Sequence, residues 1–137
     1  MDVEEAKELL SFHSGRNSDF HNPKWTNGFL GSLRPIQGLN RENFIEVIEC
    51  LRTLKDEIVS PLIDREIVSD IVGITHLTRI WASPQGMLGR NHLLTEEQTK
   101  HLLAWVNIIE DCFMYLLEDA EEEAFVDFEL YLKGEYF

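Results

Sequence analysis

The sequence predicts an all-α fold: one domain spanning residues 1–137, built as a four-helix bundle-like core with a long ordered loop after the first helix and a short acidic C-terminal extension. Three observations carry this. Apolar residues recur at three- and four-residue intervals through four segments, capping residues and a proline mark the segment starts, and alternation with a period of two occurs only near the C-terminus. At 137 residues, with 44% apolar and 27% charged side chains, the chain has the size and composition of a globular domain with one core.

The first helix is expected from Asp2 to about His13. Val3, Ala6, Leu9, Leu10 and His13 follow helical spacing, the first-turn carboxylates suit the helix dipole, and Gly15 ends the run. Residues 15–39 hold four glycines and two prolines with little periodicity, so they read as a loop with at most one short helical turn. A loop of that length in a compact domain is either packed by its own side chains or functional, and Phe20, Trp25, Phe29, Leu30 and Leu33 favour packing.

Asn40 caps a second helix running to about Val59, with Phe44, Val47, Leu51, Leu54 and Ile58 forming one apolar stripe. Ser60, with Pro61 at the first helical position, predicts a third helix to Ala82, joined to the second by a tight turn. Its apolar residues, among them Ile67, Ile71, Val72, Ile74 and Ile80, cover more than one stripe, which marks it as the central helix. Gly73 in its middle predicts close approach by a neighbouring helix.

After a loop at Ser83–Leu94, Thr95 and Gln98 form a capping box that opens the fourth helix. Leu102, Val106, Ile109, Phe113 and Leu116 align that helix for near-antiparallel packing on the second. Val126, Phe128, Leu130 and Leu132 then alternate with polar residues as in a strand. Nothing else in the chain would pair with a strand, so a short fifth helix or ordered extension is preferred.

Charge is distributed unevenly. The net charge is −13, and residues 96–137 hold 12 carboxylates against Lys100 and Lys133. This disfavours nucleic-acid and membrane partners and points to a basic or neutral protein partner. Within that stretch, Glu118, Asp119, Glu121, Glu122, Glu123, Asp127 and Glu129 lie among Phe125, Phe128 and Tyr131, a mixture of charge and rings expected of a protein-binding surface. Cys50 and Cys112 lie in apolar helical patterns without a CxxC spacing, consistent with core thiols in a reducing cytoplasm, and no 18-residue apolar run or basic leader occurs.

No catalytic, metal or cofactor signature is present. HxH, HxxxH and ExxH spacings are absent, and only Glu97 and His101 lie four apart on a helix. The loop from Pro84 to His92 has glycines before a helix start but lacks the lysine and strand of a nucleotide loop, so it reads as a turn with structural glycines. If it met the early loop over the third helix, Arg34, His76, Arg79, Arg90 and His92, with His21, would form a basic pocket for an anion.

In size and charge the chain resembles, at the level of class, bacterial immunity proteins: small acidic domains that neutralise cationic toxins by covering the site that would bind phosphate. The resemblance implies a non-enzymatic, cytoplasmic inhibitor of a basic toxin or nuclease. A ligand-binding protein or enzyme acting on an anionic substrate through the Arg/His loops is the alternative. A self-associating structural protein, monomer giving way to homodimer through the tail, is a third.

Overall fold

The structure, a computed structural model, describes residues 1–137 and is all-α, with no strand. Its helices are α1 (Val3–His13), α2 (Pro23–Asn27), α3 (Arg41–Thr53), α4 (Lys55–Ile58), α5 (Arg65–Ala82), α6 (Met87–Arg90), α7 (Glu96–Leu117), α8 (Glu121–Ala124) and α9 (Val126–Leu132). Packing runs from α1 to α3, α3 to α7, α7 to α5 and α5 back to α1, closing a ring of four helices. Their apolar stripes meet in one continuous cluster of 30 buried residues.

Several ends follow the sequence. Asp2 accepts the Glu5 N–H at 2.8 Å to start α1, and Gly15 in the left-handed region (φ 73°) turns the chain away after it. Asn40 caps α3 and Thr95 caps α7, the latter in a reciprocal capping box with Gln98.

The structure departs from the sequence reading at four places. The helix expected to run from Asn40 to Val59 turns at Leu54 into α3 and α4, an adjustment that lets Leu54 and Ile58 both reach the core. The third bundle helix does not begin at Ser60. There the Ser60 hydroxyl holds the Leu62 N–H in a local turn, leaving Leu62 91% exposed, and Asp64 caps α5 by accepting the Glu66 N–H.

The central helix is α7, not α5. α7 packs on α3, α4, α5 and α8, whereas Val72 and Ile80 of α5 face solvent. A Cβ at Gly73 would meet nothing within 4 Å, so no neighbour approaches there. The C-terminal alternation resolves as helix: α8 and α9 fold back on the bundle and bury Ala124, Phe125, Phe128 and Tyr131.

The long loop is ordered by its own apolar residues and by polar anchors at both flanks. Phe29, Leu30 and Leu33 are buried, whereas Phe20 is exposed and packs edge-on against half-buried Trp25. His13 is fully buried. Its Nδ1 accepts the Phe29 N–H at 2.9 Å, so the ring proton sits on Nε2 and is donated to Glu46 at 2.8 Å. Lys24 Nζ donates to the same Glu46 oxygen. Held by the His13 hydrogen bond and then by Lys24, against the opposing effect of burial, the Glu46 carboxyl is lowered to about 2. On the other flank Arg16 grips Asp70 of α5, and Ser14 donates to the same carboxylate.

Candidate functional site

The acidic face is divided between the interior and the surface. Phe125, Phe128 and Tyr131 are 8%, 2% and 8% exposed, so the rings expected to anchor a partner instead fill the protein's own interior. The cause is packing. Phe128 and Tyr131 meet Phe44 edge-on at 5.6 and 5.3 Å between centroids, and Arg52 lies 4.1 Å over the Phe125 ring.

Glu121 and Glu129 are also occupied, by Lys55 and Arg52 respectively. Glu118, Asp119, Glu122 and Glu123 remain exposed with no cation within 4 Å, next to exposed Met114, Leu117 and Val126. Asp127 is half-buried near Asp111, whose carboxyl is raised by burial and then by the Asp127 charge.

The C-terminal segment bounds an open cleft of about 600 Å³ floored by Trp105, His101 and Tyr131. Its floor is a chain of mutually bonded polar groups, while Arg41 and Lys133 at its walls have no carboxylate within 4 Å. Trp105 Nε1 donates to the Tyr131 oxygen at 2.7 Å, the Tyr131 hydroxyl meets His101 Nδ1 at 2.6 Å, and His101 Nε2 meets Glu97 at 3.2 Å. The Glu97/His101 pair of the sequence is thus one end of a relay that fastens α9 to α7.

The basic cluster anticipated from Arg34, His76, Arg79, Arg90 and His92 does not assemble. Arg79 is bound bidentately by Glu110, at 2.6 and 3.2 Å, and by Asn107; His76, Arg90 and His92 are exposed and line none of the five principal cavities. Gly86 and Gly89 are structural, since a Cβ at either would lie 1.9 Å from a backbone oxygen. Arg34 is different.

Arg34 has no carboxylate within 4 Å, and its guanidinium lies 5.9 Å over the ring of Trp81. The two border a cavity of about 360 Å³ whose other walls include Trp25, Leu30, Pro35 and Leu77, with Ser14 and Gly15 at one side and Gln37 at another. No acidic residue lines it, in a chain that has 25. The sequence explains why: residues 20–41 and 73–94 contain no carboxylate, and the cavity lies where these two stretches meet.

The wall carries one unmet polar group. Trp25 Nε1 is buried without a hydrogen-bond partner, at a typical cost of about 1–3 kcal/mol. An apolar, concave site with one free cation and no carboxylate is suited to hold a small anion with an apolar body.

Comparison with protein-family models, with curated proteins and with solved structures finds no match to this chain. Arg34 is the one member of the anticipated anion set at the pocket. Trp25 and Trp81 were legible only as packing residues, because nothing local in sequence shows that they line one cavity.

Proposed function

We propose that this protein binds a small organic anion in the pocket between the 14–37 segment and α5. The observation that carries the reading is the unpaired Arg34 on a cavity free of carboxylates within a strongly acidic chain. An anion approaching elsewhere meets the repulsion of the net charge, whereas here the nearest formal charge is a guanidinium whose planar fork suits oxyanions. The Trp81 ring 5.9 Å away draws the exposed Arg34 side chain toward the cavity mouth.

Titrating the full chain with a panel of small organic anions, followed by backbone NMR, tests this. Saturable shifts centred on Gly31, Arg34, Leu77 and Trp81 are expected. Shifts confined to the C-terminal cleft, or none, would overturn the reading.

A second reading keeps the acidic face as a docking surface for a basic protein, in the manner of a bacterial immunity protein inhibiting a cationic toxin. What favours it is that Glu118, Asp119, Glu122 and Glu123 are unpaired beside exposed Met114, Leu117 and Val126, so charge and apolar contact remain available without the buried rings. Its test is the triple replacement of Glu118, Glu122 and Glu123 by Gln, which leaves the Lys55–Glu121 bridge intact. Unchanged association with a basic partner at low salt would exclude this face.

Neither reading requires catalysis, and both suit the cytoplasm, where the buried thiols of Cys50 and Cys112 stay reduced. No helix is long and apolar enough to cross a membrane. Self-association through the tail, a third reading, would have to use the outer face of α8 and α9, since the tail is helical and packed on its own bundle, and light scattering tests it.

A further inference from the structure

Resting on the pocket reading above, we infer that the ligand is a flat aromatic monocarboxylate, such as a one- or two-ring acid, its ring held among Trp25, Leu77 and Trp81 and its carboxylate on Arg34. The walls decide the body of the ligand. Two indoles with Leu30, Pro35 and Leu77 offer apolar surface, and indole faces favour another flat ring over a flexible chain, whose ordering costs more entropy. At about 360 Å³ the cavity lies at the small end of ligand sites, a size that suits a ligand of one or two rings.

The charge decides the head. Arg34 is the only cation lining the cavity, and no helix of the bundle opens into it with its N-terminal end: α5 contributes Leu77 and Trp81 from its last turns, and α1 ends at His13 just before Ser14. A phosphate dianion would bring a second negative charge with no second cation to meet it, inside a molecule of net charge −13. A carboxylate matches the guanidinium fork with two parallel hydrogen bonds and carries a single charge. Trp25, whose ring lines the cavity, also carries a buried Nε1 donor without a partner, which the indole would have to turn to present to the ligand.

Calorimetric titration of the full chain with indole-3-acetate, monitored in parallel by the three tryptophan indole N–H resonances, tests the inference. Indole, acetate, hexanoate and inorganic phosphate serve as comparison probes, with Arg34→Gln and Arg65→Gln as variants. Arg65 is an exposed, unpaired arginine at the far end of α5.

Indole-3-acetate is expected to bind with movement of the Trp25 and Trp81 resonances, and indole and acetate to bind at least roughly tenfold more weakly. Arg34→Gln is expected to weaken indole-3-acetate roughly tenfold or more while leaving indole unchanged, and Arg65→Gln to bind as wild type. Hexanoate or phosphate binding at Trp25 and Trp81 as tightly as indole-3-acetate would overturn the aromatic monocarboxylate and leave the small-anion reading standing. If no anion moves these resonances, or if Arg34→Gln binds indole-3-acetate as wild type does, both fall.

Discussion

Arg16 holds Asp70 by two hydrogen bonds, Nε to Oδ1 at 2.7 Å and Nη2 to Oδ2 at 3.1 Å, although the two residues are 54 positions apart and Asp70 is 2% exposed. The clasp fixes Ser14 and Gly15, which border the Arg34 cavity, against α5. The two partners are not equivalent, because the Arg16 side chain is 38% exposed and can turn to water while Asp70 cannot. Removing Arg16 (R16M) is therefore expected to cost about 3 kcal/mol or more by leaving a buried carboxylate unpaired, and D70N to cost less. Urea denaturation of both variants measures the order, and a larger loss in D70N would contradict it.

Acid should loosen the opposite flank of the loop. Glu46 titrates at about 2 in the fold against an ordinary 4.5, so its contribution is fully present above about 4.5 and is lost as pH falls toward 2. Melting temperature is expected to decline through that window, and E46Q to show a shallower decline. At neutral pH, E46A strands the buried His13 Nε2–H and should cost about 1–3 kcal/mol. Thermal melts across pH 2–7 for the three proteins check both statements.

Two glycines should respond in opposite directions to the same added methyl group. Around Gly73 of α5 there is open space, and G73A is expected to stabilise by about 0.5–1 kcal/mol through helix propensity. At Gly86 the new Cβ would lie 1.9 Å from the Ile80 carbonyl oxygen, so G86A should destabilise. Denaturant midpoints of the pair decide the matter, and a loss in G73A would imply a helix contact the structure does not have.

Tyr131 is the fastener of the tail. Y131F removes the oxygen that accepts from the buried Trp105 Nε1 and meets His101 Nδ1, at an expected cost of about 1–3 kcal/mol. The loosened α9 should then be cut sooner than the bundle in limited proteolysis. Unchanged stability and cleavage would show that the relay is dispensable.

Local signals carried the fold a long way. Capping at Asp2, Asn40 and Thr95 and the apolar stripes of α1, α3, α5 and α7 are short-range chemistry, and they gave the bundle its four helices. At Ser60 two local signals competed, and the Ser-Pro pattern masked the cap at Asp64 four residues later. The acidic tail misled for another reason. Phe125, Phe128 and Tyr131 alternate with carboxylates in sequence, yet a helix winds the rings to one side and the charges to the other.

The pocket is a tertiary object. Arg34 could be picked out as an arginine in a carboxylate-free stretch, but that it lies over Trp81 while Arg79, two residues away, is taken by Glu110 follows from how α5 is rotated. The absence of acid from residues 20–41 and 73–94 was the usable sign, since two such stretches in so acidic a chain attract no attention singly and mark a site only when they touch.

Cys50 and Cys112 sit at 0% exposure, one in α3 and one in α7, and burial pushes both thiols up to about 12. An alkylating reagent in neutral buffer thus finds almost no thiolate until the bundle parts. The chain carries its own clock for global opening: the rate of label uptake, with and without a bound small molecule, reads out how often the helices separate and how far occupancy slows them.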